Sequence, residues 1–290
     1  MVDIQCVAQT ADVIGEIPLW DDREQALYWI DIFKPALHRL DGASGKVTSW
    51  TPPEKAGSFA MRESGGFLMA ARSGLAFYEP ESGHFEHIVD LEPDLPDNFL
   101  NDGHCDRQGR FWVGSMDKPL AAATGQLHRY DGDGTHEVFD RDIWISNGVA
   151  FSPDGSIMYF ADSHHDAIYA YDLDTASGAI SNKRIFASTE GKPGTPDGAT
   201  IDAEGFLWSA QFDGGCVYRY APDGRLDRTV ELPVTRPAAC AFGGANFEIL
   251  YVTTGRFRLP EDVLAREPHA GGVLAIDVGV TGLPEPRFAG

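Results

Sequence analysis

Four residues with oxygen atoms in their side chains recur at a similar place in the sequence. Each lies 11 or 12 residues before an aromatic residue of a β-rich segment, and the four are Glu16, Asn101, Asn147 and Asp197. Oxygen ligands without Cys or His suit hard divalent cations, although zinc and iron(II) also accept carboxylates. Two carboxylates that meet at one point repel each other unless a cation lies between them. The spacing therefore predicts a site for one divalent metal ion, with calcium, magnesium, manganese, zinc and iron(II) left open.

The segments that carry these residues form a repeat. Their central residues are spaced 40 to 49 positions apart and are Tyr28, Leu68, Trp112, Tyr159, Trp208 and Tyr251. In the clearest unit, residues 146–162, an apolar strand, a Pro-Asp-Gly turn and a second strand predict a β-hairpin. Repeats of this length with β patterning are typical of propeller blades. We predict an all-β fold, a six-bladed β-propeller that forms a single domain over residues 1–290.

The predicted fold explains how distant side chains could share one site. The innermost strands of a propeller begin at one mouth of the central channel, so residues at equivalent positions converge there. Two units have small or apolar residues at this position, Ala56-Gly57 and Ala239-Cys240. We therefore expect four blades to supply polar groups and two to supply none.

The chain is strongly acidic, with a net charge of −21 that is not confined to one tail. This charge argues against binding to nucleic acid or to an anionic membrane surface. No signal-peptide pattern and no run of about 18 apolar residues occurs. We expect a cytoplasmic protein that acts on a small molecule, as a monomer or a weak dimer.

A combination of motifs resembles the SMP-30/gluconolactonase/LRE-like family, which includes regucalcin and bacterial sugar lactonases. The motifs lie at residues 15–20, 101–103, 146–155, 196–198 and 240–244. The resemblance covers essentially the whole chain. It implies a six-bladed propeller that binds one catalytic divalent metal through Glu16, Asn147 and Asp197 and hydrolyses a sugar lactone to the aldonic acid.

The resemblance leaves the substrate open. It implies a contact of Asn101 with substrate or, through water, with metal, and Asp102 lies beside it. Phe99 stands where family members often carry Arg, and Ile17-Pro18 replaces a familiar Gly-Pro. The regucalcin-type substrate glutamate has no clear counterpart in residues 116–119.

Two cations, Lys118 and Arg236, are further candidates for substrate binding. In one interpretation they grip a sugar lactone that carries an anionic substituent, such as a carboxylate or a sulfonate. In the other they are surface charges that pair with neighbouring acids. The sequence leaves both interpretations open.

A divalent ion can polarise a lactone carbonyl and lower the pKa of water, so no Ser or Cys nucleophile is needed. The sequence has no Gly-x-Ser-x-Gly motif, and Ser163 before His164-His165 lacks a recognisable base-and-orienter pattern. Asp197 is the expected catalytic base, with Asp102 or a metal-activated water as alternatives. Two other functions stay open, a non-catalytic calcium-binding or regulatory propeller and a propeller esterase for lipophilic or organophosphate substrates.

Overall fold

In the computed structural model, which describes residues 3–290, the chain forms twenty-four β-strands. The first is β1 (Ile4–Ala8). Blade 1 consists of β2 (Gly15–Asp21), β3 (Ala26–Asp31), β4 (Ala36–Asp41) and β5 (Val47–Trp50). Blade 2 consists of β6 (Ala56–Met61), β7 (Phe67–Ala71), β8 (Gly74–Glu79) and β9 (His84–Val89). Blade 3 consists of β10 (Asn98–Cys105), β11 (Phe111–Asp117), β12 (Gly125–Tyr130) and β13 (His136–Ile143).

The second half of the chain repeats this pattern. Blade 4 consists of β14 (Ser146–Phe151), β15 (Ile157–Asp162), β16 (Ala167–Leu173) and β17 (Ile180–Ser188). Blade 5 consists of β18 (Thr195–Ile201), β19 (Leu207–Phe212), β20 (Cys216–Tyr220) and β21 (Leu226–Glu231). Blade 6 consists of β22 (Pro237–Gly243), β23 (Ile249–Thr254), β24 (Val273–Asp277) and β1, which pairs antiparallel with β24. The fold is thus a six-bladed β-propeller, as the sequence predicts.

The blades fall into two units. Unit 1 contains blades 1, 5 and 6 and runs up to Thr51 and over Thr189–Pro284, and unit 2 contains blades 2, 3 and 4 and covers Pro52–Ser188 and Glu285–Gly290. The predicted single domain over residues 1–290 stays a prediction, and its first two residues, Met1 and Val2, lie outside the described part of the chain.

Regular helix is scarce in residues 3–290. The α-helix α1 (Glu261–Arg266) follows Pro260, which occupies its N-cap position, and a single 3₁₀ turn covers Ser163–His165. The sequence predicts this helix from its Pro-Glu-Asp start. No helix in the described residues is long and apolar enough to cross a membrane.

The core of each unit lies between neighbouring sheets. The first strands β2, β6, β14 and β22 are buried along their whole length. The outer strands β5, β9, β13, β17 and β21 consist mostly of half-buried and exposed residues. Large aromatic residues fill the space between blades, as where Trp208 of blade 5 meets Phe242 of blade 6 edge to face with ring centroids 5.8 Å apart.

Buried aspartates hold some of these aromatic residues in place. In each such arrangement, called a tie below, the carboxylate accepts a hydrogen bond from a tryptophan indole N–H and lies next to a basic side chain. In blade 3, Asp106 accepts a hydrogen bond from Trp112 Nε1 at 3.0 Å and pairs with Arg110 Nε at 2.6 Å. In blade 5, Asp202 accepts a bond from Trp208 Nε1 at 2.9 Å and pairs with Arg219. Each tie satisfies an indole N–H that burial would otherwise leave without a partner.

Blade 1 has a related tie in which a histidine replaces the arginine. Asp12 accepts a hydrogen bond from Trp29 Nε1 at 2.9 Å, and its Oδ1 lies 3.2 Å from His38 Nε2, which is buried and makes no hydrogen bond of good geometry within the described residues. The other ring nitrogen, His38 Nδ1, is 2.7 Å from the hydroxyl oxygen of Ser49 on the outer strand β5. No motif in the sequence identifies this Ser–His–Asp arrangement. Its likeness to the ties of blades 3 and 5 indicates a structural role.

Candidate active site

The four predicted polar residues occupy one position in the β-sheet register. In each blade the central residue of the second strand pairs with a residue of the first strand, and the polar residue lies three positions before that partner. The pairs are Tyr28–Leu19, Trp112–His104, Tyr159–Ala150 and Trp208–Thr200. The count of 11 or 12 residues in the sequence varies only because the hairpin turns differ in length.

The same rule identifies the equivalent residues of the other two blades. Leu68 pairs with Ala60, which places Gly57 at this position in blade 2 as predicted. In blade 6, Tyr251 pairs with Ala241, so the equivalent residue is Ala238. The predicted Ala239-Cys240 is therefore wrong by one position or more, because the β22–β23 hairpin is longer than the others.

A β-bulge lies at this position in all six blades. One extra residue on the first strand interrupts the pairing beside Glu16, Gly57, Asn101, Asn147, Asp197 and Ala238. Bulges turn a side chain away from the regular pleat and are common next to active sites. The four polar residues therefore lie where the regular pairing between the first and second strands is interrupted.

The backbone after two of these residues is left-handed. Gly148 follows Asn147 with a φ of 59°, and Ile17 follows Glu16 with a φ of 50°. Glycine adopts this conformation freely, whereas a β-branched residue there is an outlier that costs about 1–3 kcal/mol. The Ile17-Pro18 pair thus places a strained, buried residue beside Glu16.

In unit 2 two predicted residues interlock through their amides. Asn101 Nδ2 donates to Asn147 Oδ1 at 3.0 Å and to the Ser146 carbonyl oxygen at 2.8 Å. Asn147 Nδ2 donates to Ser163 Oγ at 2.8 Å. An amide oxygen has two lone pairs, so Asn147 Oδ1 can accept one further contact besides that from Asn101.

Asp102 lies next to this pair and is 3% exposed. Its Oδ2 accepts a hydrogen bond from the Val149 backbone N–H at 3.1 Å, and its Oδ1 is buried without a hydrogen-bond partner among residues 3–290. Burial raises the pKa of Asp102, although the charge of His104 and nearby backbone N–H groups oppose this. A buried carboxylate oxygen without a hydrogen bond is unusual. It suits a group that binds a ligand or accepts a proton.

His104 connects Asp102 to the end of the chain. Its Nε2 lies 3.9 Å from Asp102 Oδ1, and its Nδ1 lies 2.8 Å from Glu285 Oε1. Burial alone would lower the pKa of His104, but the carboxylates of Glu285 and Asp102 outweigh it and raise the pKa. Burial would raise the pKa of Glu285, but the charge of His104 outweighs burial and lowers this pKa. The arrangement is a carboxylate–imidazole–carboxylate cluster in which Asp102 and His104 are buried and Glu285 is half-buried.

In unit 1, Glu16 and Asp197 begin the strands β2 and β18, and both side chains are buried. Strand β22 packs against both of these strands. The residue after Asp197 is Gly198, where any Cβ would overlap Ala239 of β22, so glycine permits this close approach. Convergence of these two carboxylates with Asn101 and Asn147 at one channel mouth stays a prediction.

The predicted substrate contacts differ in their surroundings. Phe99 is half-buried on β10 opposite Met116. Lys118 is exposed just after β11 and makes no ion pair in the described part of the chain. Arg236 Nε donates to Asp213 Oδ1 at 2.5 Å, as the surface-charge interpretation predicts. Its Nη1, however, is buried without a hydrogen-bond partner within residues 3–290.

The chemistry of the predicted metal ligands fits a hard divalent ion. All three, Glu16, Asn147 and Asp197, offer oxygen, and Asn147 Oδ1 keeps a free lone pair. No group of three or more His, Cys, Asp or Glu side chains placed to hold a metal occurs in the described residues. The predicted set contains only two such residues, because its third ligand is an amide.

Two residues of this region are not identified by the sequence pattern. Ser163 bonds to Asn147 from 16 positions along the chain, and Glu285 pairs with His104 from a distance of 181 positions. Ser163 follows the second strand of the same blade directly, so the blade repeat could have found it. No local pattern identifies Glu285.

Comparison with known proteins bears on this arrangement. The sequence model of the SMP-30/Gluconolactonase/LRE-like region matches residues 14–256. The 6-deoxy-6-sulfogluconolactonase of Pseudomonas putida is 39% identical over 99% of both chains. The L-arabinolactonase of Azospirillum brasilense is also 39% identical, over 98% of this chain and 95% of the relative.

A solved structure is similar along its whole length. The structure of a calcium-binding protein, regucalcin, from Agrobacterium tumefaciens has a TM-score of 0.94 and 30% identity, and the match covers 99% of this chain and 97% of that one. The chain therefore belongs to the SMP-30/gluconolactonase/LRE-like family.

Proposed function

We propose that this protein is a hydrolase that opens a sugar lactone to the aldonic acid, with one divalent metal ion held by Glu16, Asn147 and Asp197. The observation that carries the proposal is the common bulge position of these residues in three blades. Membership of the family and the two relatives named as lactonases support the reaction type.

The residues take separate roles in this proposal. Glu16, Asn147 and Asp197 would hold the divalent ion, which when bound would supply Lewis acidity to polarise the lactone carbonyl and make water more acidic. Asp197 accepts the proton of the attacking water as its oxygen bonds to the carbonyl carbon. The ring C–O bond then breaks, and the same proton passes to the departing ring oxygen. Asn101 orients the substrate by accepting a hydrogen bond at its Oδ1, because both hydrogens of its Nδ2 are donated to Asn147 and Ser146.

Asp102 is the alternative proton acceptor. Its Oδ1 lacks a hydrogen bond within the described residues, and burial raises its pKa toward the range useful for a base. Variants of Asp102 and Asp197 separate the two roles. The general base is the residue whose amide variant abolishes turnover while metal affinity is retained.

We extend the proposal to a lactone with an anionic substituent. Lys118 is exposed without an ion pair among residues 3–290, and Arg236 keeps one buried donor, Nη1, beyond its bonds to Asp213. These two cations would supply a local positive potential, whereas the net charge of −21 would by itself repel an anion. One relative is named for a sulfonated gluconolactone, which is a substrate of this class.

The test is a pH-indicator assay of acid release from neutral pentono- and hexonolactones and from a 6-sulfonated hexonolactone. Chelation should abolish hydrolysis and a divalent ion should restore it, and Asp197→Ala should lose activity by about 10³-fold or more. Metal binding without hydrolysis of any lactone would favour the calcium-binding alternative.

The same assay tests the anionic substituent. Lys118→Ala and Arg236→Ala should slow the sulfonated lactone by about tenfold each and leave neutral lactones unchanged. Lys46→Ala is the matched control, since Lys46 is exposed in the β4–β5 turn at the opposite end of blade 1 from Glu16. If both variants hydrolyse every substrate at the wild-type rate, the anion-binding role is excluded and the lactonase assignment stays in place.

A further inference from the structure

We infer that Ser163 is a positioning residue that fixes the side-chain orientation of Asn147, so that its oxygen faces the metal. The inference rests on the proposed function, because it takes Asn147 as a metal ligand. It assigns to Ser163 a role that does not involve nucleophilic attack.

The hydrogen bonds around Asn147 permit one orientation of its amide. Ser163 Oγ accepts from Asn147 Nδ2 at 2.8 Å, while Asn147 Oδ1 accepts from Asn101 Nδ2 at 3.0 Å. A rotation of the amide by 180° would set two N–H₂ groups against each other, because Asn101 Nδ2 is also bound to the Ser146 carbonyl oxygen. Only the oxygen of an amide can bind a cation, since the nitrogen offers donors alone.

Burial makes the serine contact costly to lose. Asn147 is 7% exposed and Ser163 is 6% exposed, so water cannot readily replace the hydroxyl. Removal of Ser163 Oγ would leave Asn147 Nδ2 buried without a partner at a cost of about 1–3 kcal/mol. Rotation of the side chain would relieve this cost and would turn the oxygen away from its present direction.

Ser163 is itself held by its neighbour Asp162. The Asp162 carboxylate accepts the backbone N–H groups of Trp144 at 3.1 Å, Ile145 at 3.1 Å and His164 at 3.2 Å. The Ser163 N–H donates to the Ile145 carbonyl oxygen at 3.1 Å. The turn that carries Ser163 is thereby fixed to the segment that leads into Asn147, so the hydroxyl is in place before any ion binds.

The two histidines after Ser163 are engaged elsewhere. His165 Nδ1 lies 3.0 Å from Asp162 Oδ2, and the ring of His164 stacks on Trp144 with centroids 4.4 Å apart. Both histidines are exposed, whereas Ser163 is buried. This arrangement favours an orienting role for Ser163 over that of a histidine-activated nucleophile.

The experiment measures metal affinity independently of activity. Metal-free wild type, Ser163→Ala and Ser163→Thr are titrated calorimetrically with Ca²⁺ and separately with Mn²⁺, and thermal unfolding checks each fold. Ser163→Ala should weaken the Kd by about 10- to 100-fold, the usual effect of losing a group that orients a ligand. Ser163→Thr, which restores the hydroxyl, should bind within about threefold of wild type.

Ser58→Ala is the matched control. Ser58 is a fully buried serine of β6 in the same unit, and its Oγ makes no hydrogen bond to the described residues. Its variant should bind both ions as wild type does. If Ser163→Ala does not fold, Ser163→Cys replaces it with the same expected direction, since a thiol is a weaker acceptor.

The outcomes separate the two hypotheses. Equal Kd values for wild type and folded Ser163→Ala would overturn the orienting role while the metal assignment stands. Failure of wild type to bind either ion would overturn the metal assignment, and the inference with it. A loss of affinity in Ser163→Ala that Ser163→Thr recovers would support both.

Discussion

Two buried aspartates of blade 3 lie four residues apart and differ in how many hydrogen bonds they accept. Asp106 follows β10, is fully buried and accepts hydrogen bonds from Gln108 N, Arg110 N, Arg110 Nε and Trp112 Nε1. Asp102 lies within β10 at 3% exposure, and its Oδ1 has no hydrogen bond in the described part of the chain. Burial is common to both, so it does not distinguish a structural carboxylate from a functional one.

The number of satisfied acceptors does distinguish them. A buried carboxylate that is fully bonded and paired with a cation holds the fold together. A buried carboxylate with an oxygen that accepts no hydrogen bond lowers stability, because desolvation disfavours its charge. Such a group is typical of sites where it binds a ligand or accepts a proton. Asp202, which pairs with Arg219 and Trp208, falls in the first class with Asp106.

The largest expected effect is on activity, in Asp102→Asn. This variant keeps the shape and removes the charge, and if Asp102 rather than Asp197 accepts the proton, lactone turnover should fall by about 10²- to 10⁴-fold. Because the pKa of Asp102 is raised in the folded protein, ionisation of its carboxylate lowers the free energy of unfolding. This loss of stability begins as pH rises above the unfolded pKa and is complete above the folded pKa. The thermal midpoint at neutral pH should therefore stay equal or rise. Full activity in this variant would remove Asp102 from the site.

The opposite outcome is expected for Asp106→Asn. Loss of the carboxylate leaves Arg110 next to a neutral group in a buried setting, and the free energy of unfolding should fall by about 3 kcal/mol. Denaturant unfolding measures this change, and turnover per folded molecule should equal that of wild type. Gln108→Ala is the control, since exposed Gln108 also contacts Arg110 and should change stability by less than about 0.5 kcal/mol. A stable Asp106→Asn would contradict the comparison.

A smaller effect should appear in the pH dependence of Glu285→Gln. The raised pKa of His104 adds stability that is complete below its unfolded pKa and is lost as pH rises through the folded pKa. The lowered pKa of Glu285 adds stability that is present above its unfolded pKa and is lost as pH falls through the folded pKa. The stability difference between wild type and variant should peak between about pH 4.5 and 6.5.

Denaturant unfolding over a pH series measures that difference, and NMR titration of His104 should show a lower pKa in the variant. The charge of Arg107, which also faces this cluster, lowers the pKa of His104. Arg107 is therefore left unchanged in both wild type and Glu285→Gln. Glu81→Gln, at an exposed glutamate, is the control for loss of one carboxylate. An unchanged His104 pKa in Glu285→Gln would show that the pair is not coupled.

The smallest effect is expected for Ser49→Ala. Its hydroxyl ends the Asp12–His38 tie at an exposed position of the outer strand β5, where water can replace it. Turnover should be unchanged, and stability should change by less than about 0.5 kcal/mol. A fluorophosphonate probe followed by mass spectrometry should leave Ser49 unlabelled. Labelling there would mean that Ser49 is a nucleophile and that the Ser–His–Asp arrangement is not only structural.

The sequence alone determined the blade repeat and the register of the polar residues. Turns such as Pro153-Asp154-Gly155 and the alternation of apolar residues act over a few positions, so the hairpins follow from local chemistry. The spacing that identifies Glu16, Asn101, Asn147 and Asp197 depends only on the repeat of those hairpins. It fails at Ala238, where a longer turn shifts the count.

Only the tertiary structure decided how the surrounding side chains are satisfied. Glu285 reaches His104 across 181 positions, and Arg236 bonds to Asp213 of the neighbouring blade. The difference between Asp102 and Asp106 likewise depends on which donors reach each carboxylate, which no spacing within the sequence reports. Hydrogen bonds between distant segments are set by the packing of whole blades, whereas hairpins are set by the residues they contain.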